Sequence, residues 1–409
     1  MWLQHLYQRF VNRPCTRRQV RPQAPRRRGV RVGLEILEDR LTPSNFTAAT
    51  VSDLIADINA ANLAGGSNTI ALVGGKSFTL TAVDNATDGP TGLPVIAAND
   101  NLTIAGNGDT IARSTATGTP AFRLFDVASG AALTLKDLTI ADGLANQGGG
   151  IANAGNLTLS NSNLFGNQAV GGLGGGGIFN ESNASLTLKS SVLLGNQATS
   201  AAAGDVFGGG LLNESSATID SSTFSGNQVL GGASSNLFFG GSAGGAIDNH
   251  AGAALTVTNS TFTNNQALGA GGFYFGMGGA INNNSGPDDT APSTATIDNC
   301  TFTGNLAGGD PGATGNGGAI LNEGTETNMT LSNSTFIGNQ SVGQPGNGSP
   351  GGGVGGAILN WYGSTLTIRN STLAGNQAIG GNGASAVGGA IDNSTGATLY
   401  LINSTLYSN

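Results

Sequence analysis

The sequence predicts an all-β fold: a parallel β-helix with three short strands per coil, preceded by a capping helix and a disordered basic leader. Two observations lead to this prediction. The line "GGAIDNHAGAALTVTNSTFTNNQ" at residues 244–266 returns as "GGAILNWYGSTLTIRNSTLAGNQ" at residues 355–377, so the chain is built from repeats. Within each line apolar residues alternate with polar ones, and the density of Gly, Asn, Ser and Thr disfavours helices.

Composition narrows the class of protein further. The chain has 409 residues, of which 69 are Gly, and 38% of the chain is hydrophobic while 10% is charged. A flexible low-complexity chain would lack recurring β-branched and aromatic residues, whereas Leu, Ile and Phe recur here in register. We therefore expect the repeats to form one continuous stack of coils.

Charge is divided unevenly along the chain. The first 44 residues contain ten Arg and three acidic residues, while the remainder contains six basic and 21 acidic residues, a net charge of −15. A nucleic-acid-binding domain would spread its basic residues over a folded face, so no nucleic-acid partner is expected. The acidic body also disfavours polyanions as partners.

Residues 1–46 form the Arg-rich leader. Its segment "LEILEDRLTPS" (34–44) resembles the LEPR-xLL-type N-terminal motif of surface or exported bacterial proteins, through Leu37-Glu38-Asp39-Arg40-Leu41. Asp39 stands where that motif has Pro, and Thr42-Pro43 stands where it has Leu. The resemblance implies export to the extracellular space or the cell envelope, and a plain disordered arm is the alternative. No apolar run of about 18 residues occurs, so no transmembrane helix is predicted.

Residues 47–147 are expected to hold the cap and the first coils. The stretch "TVSDLIADINAANLAGG" at 50–66 predicts an amphipathic helix, because its apolar residues fall on one face and Thr50 or Ser52 can cap its start. The residues on that face are Val51, Leu54, Ile55 and Ile58. The segments "NTIALVGGKSFTLTAV" and "NLTIAGNGDTIAR" follow with the alternation of strands. A helix here would cover the bare backbone groups of the first coil.

Eight repeats of GG(A/G)IxN followed by (F/L)xxN fill residues 148–409. Side chains alternate faces along a strand, so columns that stay the same should point inward and columns that vary should point outward. One constant column is Asn, and we expect its side chains to bond from coil to coil as a ladder. The members of this ladder are Asn153, Asn180, Asn213, Asn249, Asn283, Asn322, Asn360 and Asn393. Three apolar columns should stack in the same way, and the aromatic run in one of them is Phe224, Phe262, Phe302 and Phe336.

A further Asn marks the corner between the second and third strands, where the alternation slips by one residue. Asn tolerates the unusual backbone angles that a corner needs, so we interpret these residues as structural rather than as glycan or ligand sites. They are Asn161, Asn259, Asn299, Asn333, Asn370 and Asn403. Cys300 replaces a Ser beside this corner and is expected to pack as a small side chain. The other cysteine, Cys15, lies in the leader, so no disulfide framework is predicted.

The pair of elements "GGAI" and "FxxN" resembles the polymorphic outer-membrane protein (Pmp-type) repeat of bacterial surface proteins. The likeness covers about residues 148–409, with Leu in place of Phe in four repeats. It implies a right-handed parallel β-helix displayed at the cell surface, as an adhesin or passenger. The chain ends inside a repeat, at "NSTLYSN", so we expect an uncapped last coil that is available for self-association.

No catalytic site is evident from the sequence, and the expected function is non-enzymatic. It would be adhesion to a surface polysaccharide or another envelope protein, or a structural role in the envelope. Asp288-Asp289, in a Pro-containing insertion, and His250, after a repeat Asn, are both expected to face solvent. No zinc spacing or calcium-repeat motif occurs, so no metal or cofactor is predicted. Because β-helices also carry carbohydrate enzymes, the alternative is a polysaccharide lyase or hydrolase.

The variable loops of three consecutive repeats end in aromatic residues just before the Gly pair. These candidate binding residues are Phe207, Phe238, Phe239, Phe273, Tyr274 and Phe275. Two interpretations are open: an exposed strip that grips sugar rings or a partner protein, or anchors that hold long loops onto the coil. Trp361 and Tyr362 form a further aromatic pair at a different corner.

Overall fold

The computed structural model describes residues 44–200, 204–231, 241–270, 275–285, 291–346 and 350–409. Within these ranges the chain forms one α-helix and four sheets whose strands run parallel and stack coil upon coil. The predicted parallel β-helix is therefore confirmed. The leader motif and the Asp288-Asp289 pair lie outside the described residues.

Two sheets contain the second and third predicted strands of each coil. The twelve-stranded sheet consists of Ser44–Ala48, Gly66–Leu72, Asp100–Ala105, Ala132–Lys136, Asn156–Ser160, Ser185–Lys189, Ser216–Asp220, Ala254–Thr258, Thr294–Asp298, Asn328–Ser332, Thr365–Arg369 and Thr398–Ile402. The eleven-stranded sheet consists of Ser77–Leu80, Thr110–Arg113, Thr139–Ala141, Asn163–Phe165, Val192–Leu194, Thr223–Ser225, Thr261–Thr263, Thr301–Thr303, Thr335–Ile337, Thr372–Ala374 and Thr405–Tyr407. The corner Asn residues between these sheets have positive φ, for example 52° at Asn259, as the sequence predicts.

The first predicted strand of each coil belongs to a nine-stranded sheet. Its strands are Phe125–Val127, Ile151–Asn153, Ile178–Asn180, Leu211–Asn213, Ile247–Asn249, Ile281–Asn284, Ile320–Glu323, Ile358–Trp361 and Ile391–Asn393. Each strand from Ile151–Asn153 onward is entered through a Gly pair. At Gly244, φ is 66° and a Cβ atom would collide with the carbonyl of Ile247, so only glycine fits this turn.

A fourth sheet, of fourteen strands, adds to the three strands per coil that the sequence predicts. Its outgoing strands are Leu144–Gln147, Gln168–Gly174, Gln197–Thr199, Gln228–Leu230, Gln266–Leu268, Leu306–Pro311, Gln340–Gln344 and Gln377–Ile379. Its returning strands are Val206–Phe207, Gly241–Ala243, Phe275–Met277, Gly315–Asn316, Gly353–Val354 and Ala386–Val387. Most of the outgoing strands begin with Gln, and the sequence predicts them as part of a variable loop because they are short. They form strands because Ala169, Ala198 and Val229 bury against Val206 in a small second core.

The predicted cap helix spans Val51–Ala64. Thr50 accepts a hydrogen bond from the Asp53 backbone and Asp53 accepts one from the Thr50 backbone, so a reciprocal capping box fixes the start. Leu54 and Ile58 are buried, and Val51 and Ile55 pack partly buried against the same core. The helix therefore covers the first strands, as the sequence predicts.

The predicted Asn ladder is complete. Each side-chain amide from Asn153 to Asn360 donates to the Oδ1 atom of the Asn in the next coil, over 2.7–2.8 Å at all seven links. The Asn side chains also bond backbone carbonyls of the turn, as Asn180 does with Ser216. These bonds satisfy polar groups that solvent does not reach.

The inward aromatic run stacks as predicted. Successive ring centroids from Phe224 to Phe336 are 5.0, 4.8 and 4.6 Å apart, with interplanar angles of 11° or less, and all four residues are fully buried. In the last coil the residue at this position, Leu406, is 41% exposed.

A second buried Asn ladder was not predicted. It begins at the Asn of the "GNQ" element, where Asn167 donates to Asn196, and it repeats in every coil to Asn376, which donates to Asn409. A Ser column runs beside the corner Asn column, and Cys300 occupies one of its positions. Cys300 is 2% exposed, and burial raises the pKa of its thiol to about 11, so it is the small inert side chain the sequence predicts.

Candidate active site on the outer face of the nine-stranded sheet

The outer face of the nine-stranded sheet brings together acidic side chains and a histidine. In each strand the first and third residues point inward, so the second residue and the residue after the Asn point outward. Asp248 and His250 occupy these two outward positions in one coil. Strand register places Leu212 and Asn282 beside Asp248. Register continued by one residue places Glu214 beside His250.

Asp248 and His250 form the centre of this cluster. Nδ1 of His250 lies 3.2 Å from Oδ2 of Asp248, in an ion-pair contact rather than an aligned hydrogen bond. The other carboxylate oxygen, Oδ1, accepts hydrogen bonds from Asn282 at 2.7 Å and from Asn284 at 3.3 Å. Asp248 is fully buried. Its orientation is therefore fixed by the two Asn residues, and it in turn orients the imidazole ring.

The carboxyl groups of Glu214 and Asp205 lie near this pair, and that of Glu181 lies one coil beyond Glu214. Glu181 and Glu214 follow the ladder Asn of neighbouring coils, and Ser182 donates a hydrogen bond to Glu214 over 3.3 Å. Asp205 approaches from the fourteen-stranded sheet, where it accepts a hydrogen bond from the Gly241 backbone. All three are half-buried, so a ligand can reach them from solvent.

Burial sets the protonation behaviour of these acids. It raises the pKa of Glu214, and the neighbouring His250 only partly opposes this rise. Burial likewise raises the pKa of Glu181, assisted by the charges of Asp126 and Asp88, and that of Asp205. These carboxyl groups therefore keep their protons to higher pH than ordinary side chains, as a general acid requires.

The pKa of His250 is also raised. Burial alone would lower it, but the contact with Asp248 and the charges of Asp248, Glu214 and Glu323 outweigh burial. The imidazole therefore stays protonated to higher pH than a free histidine. The Phe207 ring packs against it, with centroids 4.9 Å apart.

The cluster continues towards the N-terminal coils through Asp126. This residue is 3% exposed, and burial raises the pKa of its carboxyl group, although the charge of Arg123 opposes the rise. Oδ2 of Asp126 and Nε of Arg123 are buried without a hydrogen-bond partner. The outer face thus carries acidic groups in the coils of Asp126, Glu181, Glu214 and Asp248, while the intervening coil of Ala152 contributes none.

The structure corrects one sequence-based expectation and locates part of another. His250 does not face solvent: its side chain is only 14% exposed, because Phe207 and the fourteen-stranded sheet lie against it. Phe207 lies opposite Ala243 in register and Phe275 opposite Gly241, so these two aromatic rings do not lie over one another. The other candidate binding residues, Phe238, Phe239, Phe273 and Tyr274, lie outside the described residues.

The sequence does contain a signal for this cluster, although its members are not adjacent in the chain. Glu181, Glu214 and His250 each follow the Asn of a different repeat. The same column of the repeat therefore holds all three. Their partial burial could not be read from the sequence, because it depends on how the returning strands pack over the sheet.

Among the described residues no group of three or more His, Cys, Asp and Glu side chains could hold a metal ion. The described part of the chain also has no helix with the length and hydropathy of a membrane span. A depression of about 310 Å³ lies away from the cluster, on the fourteen-stranded sheet. Its mainly apolar lining includes Leu230, Leu268 and Val342, and it does not contain the acid–base groups.

Fold and site together define a parallel β-helix with a half-buried acid–histidine cluster on one outer face. No family model matches the chain, and no curated protein matches it. Among solved structures, the chain is similar to the crystal structure of an alginate lyase from Paenibacillus sp. strain FPU-7. The identity is 12%, the match covers 88% of this chain and 99% of that chain, and the TM-score is 0.36.

These findings correct the expectation of a non-enzymatic adhesion or envelope protein. That solved structure is of an enzyme, in line with the alternative of a carbohydrate-active β-helix and not with the main expectation. At 12% identity and a TM-score of 0.36, this similarity assigns neither a reaction nor a substrate to the chain. The choice of reaction has to come from the side chains of the cluster.

Proposed function

We propose that the protein is a carbohydrate-active enzyme that cleaves polysaccharides by general acid–base catalysis on the outer face of its nine-stranded sheet. One observation carries the proposal: Glu214 and His250 are half-buried neighbours in one column, next to the fully buried Asp248 that orients the histidine. A purely structural outer face gains nothing from such groups, because burying ionisable side chains costs free energy.

Hydrolysis is the reaction that the carboxyl groups favour. Glu181 and Glu214 lie in adjacent coils, at a backbone spacing of about 4.8 Å. Glycoside hydrolases use two carboxyl groups, one that protonates the leaving oxygen and one that acts as nucleophile or base. Glu214, with its raised pKa, supplies the proton to the glycosidic oxygen, and Glu181 is the second carboxyl group, which has to lose its own proton before it can act as nucleophile or base. Water then supplies the hydroxyl group of the new reducing end.

The charge of the body favours a neutral sugar polymer. Residues beyond the leader carry a net charge of −15, and the cluster itself contains more carboxyl groups than cations. An anionic polymer would be repelled from this face at neutral pH. A chain of neutral sugars pays no such electrostatic cost.

A lyase reaction is the second candidate, and the Asp248–His250 pair favours it. In that reaction a base removes the proton from the carbon beside a uronate carboxylate, and the bond to the leaving oxygen breaks as a carbon–carbon double bond forms. His250 would be the base through Nε2, the nitrogen that Asp248 does not contact. Because the pKa of His250 is raised, this activity would appear only as the pH rises through that value.

The test incubates the purified chain with xylan, mannan, laminarin and alginate. Hydrolysis produces reducing ends alone, whereas elimination also produces the ultraviolet absorbance of an unsaturated uronate. We expect Glu214→Gln to lower kcat by at least about a hundredfold on the cleaved polymer, as loss of a general acid does. The matched control is Glu326→Gln, an exposed glutamate three coils further along. Activity that survives in Glu214→Gln, or no cleavage of any polymer by the wild-type chain, would contradict the proposal.

The pH profile separates the two reactions. With Glu214 as the acid, activity falls as the pH rises through its raised pKa, because the carboxyl group loses the proton it must donate. With His250 as the base, activity rises over the corresponding range of the histidine. Export to the cell envelope, where polysaccharides are met, is part of the same proposal and depends on the leader motif.

A further inference from the structure

Trp361 and Tyr362 are two neighbouring aromatic residues that are exposed on the surface of the described coils. Trp361 is 37% exposed and Tyr362 is 51% exposed, and their ring centroids are 6.2 Å apart at an angle of 58°. Large aromatic rings are normally buried, so an exposed pair on a regular coil requires an explanation.

Register puts Trp361 in the same outward column as the acid–base groups. Trp361 lies opposite Glu323, which lies opposite Asn284, and register continued by one residue leads from Asn284 to His250. Three strand spacings separate Trp361 from His250, a distance of about 14 Å along the sheet. One straight row therefore joins the aromatic pair to the proposed catalytic groups.

The tryptophan is held in a fixed orientation. Its Nε1 donates a hydrogen bond to Oγ1 of Thr395 in the next coil, over 2.7 Å. This bond satisfies the polar atom of the side chain and fixes the orientation of the partly exposed ring. A fixed ring loses little conformational entropy when a ligand binds.

Tyr362 adopts a backbone conformation that its side chain disfavours. Its φ is 50°, in the left-handed region, where glycine and asparagine are favoured and bulky residues are outliers. The corresponding turns of neighbouring coils also use this region, for example at Glu326 with φ 61° and Thr395 with φ 54°. The turn thus imposes the strain, and an exposed aromatic residue there contributes no core packing in return.

We infer that Trp361 and Tyr362 form a distal sugar-binding subsite, which holds the polysaccharide about three coils from the proposed point of cleavage. The ligand is a sugar ring of the same polymer, because the apolar faces of sugar rings stack on aromatic side chains. The row from Trp361 to His250 is straight, as an extended polymer requires. This inference rests on the proposed function for the identity of the polymer, but the binding step can be measured without cleavage.

The experiment measures binding by affinity electrophoresis in gels that contain xylan, mannan, laminarin or alginate. Trp361→Ala and Tyr362→Gly are compared with Phe165→Ala, which removes a 48% exposed aromatic ring from the eleven-stranded sheet. We expect each subsite variant to weaken binding on the order of tenfold and the control to bind like the wild type. Tyr362→Gly relieves the backbone strain, so its unfolding temperature should rise while its binding falls.

The outcomes for the subsite and for the proposed activity are distinguishable. Binding by Glu214→Gln that depends on Trp361 supports the subsite whether or not the wild-type chain cleaves the polymer. Equal binding by Trp361→Ala and the wild type overturns the inference even if cleavage is observed. Failure of the wild type to bind any of the four polymers overturns it as well.

Discussion

The outer faces of the twelve-stranded and nine-stranded sheets differ, although the same repeats build both. On the twelve-stranded sheet the central outward residue is Thr in ten consecutive strands, and these residues are exposed or half-buried. They are Thr69, Thr103, Thr134, Thr158, Thr187, Thr218, Thr256, Thr296, Thr330 and Thr367. On the nine-stranded sheet the central outward residue changes from coil to coil and is buried. These residues are Ala152, Phe179, Leu212, Asp248, Asn282, Leu321 and Leu359.

This difference distinguishes a solvent-exposed face, where one residue type suits every coil, from a covered face, where the residues differ. Thr suits a solvated strand because it is β-branched and polar, so one residue serves every coil. The face with Asp248 cannot be explained in this way, since burying a carboxylate costs free energy unless it is paired. Catalytic groups are therefore expected at positions of a covered face where the residue differs between coils. Residues that stabilise the fold are expected at positions where every coil has the same residue.

The largest effect is expected in the stacked aromatic column inside the coils. Phe302→Ala should destabilise the protein by about 3–5 kcal/mol, because a fully buried ring is replaced by a cavity between Phe262 and Phe336. Phe302→Leu, the residue used at this position in four other coils, should cost less than about 1.5 kcal/mol. Urea unfolding midpoints measure both. Equal losses in the two variants would show that the stack is not what stabilises this column.

A smaller effect is expected from one break in the Asn ladder. Asn249→Ala removes the acceptor of Asn213 and the donor to Asn283, all of them fully buried. Unpaired buried polar groups cost about 1–3 kcal/mol each, so a loss of about 2–4 kcal/mol is expected. Thr256→Ala, on the solvated outer face, should stay within about 0.5 kcal/mol of the wild type. A ladder variant as stable as this control would remove the distinction between the inner and outer columns.

The smallest effect has the opposite sign and concerns the covered face. Burial raises the pKa of Glu214 in the folded state above its ordinary 4.5, so the native protein binds this proton more tightly than the unfolded chain. Stability from this group is therefore lost as the pH rises through the raised value. Glu214→Gln should stabilise the protein by up to about 1 kcal/mol at pH of about 8, and this gain should shrink as the pH falls towards 4.5. A gain that does not change with pH would contradict the assigned shift.

The sequence predicted the inner columns well because each of them is a periodic signal. The Asn153 ladder and the Phe224 stack follow from residues that recur at fixed positions in every repeat. The ladder from Asn167 has the same signal and could have been found in the same way. The cluster around His250 could be predicted only as a shared column, since Glu181, Glu214 and His250 are different residues in different coils.

The sequence by itself determined that the chain coils and which side chains point inward, because alternation and repetition are local properties that a linear sequence records. Only the tertiary structure decided which outer face is covered. The returning strands of the fourteen-stranded sheet carry Asp205 and Phe207 to the side of His250, and the resulting exclusion of solvent raises the pKa of Glu214. Solvent exclusion depends on contacts between segments that are far apart in the chain, and periodicity does not encode it.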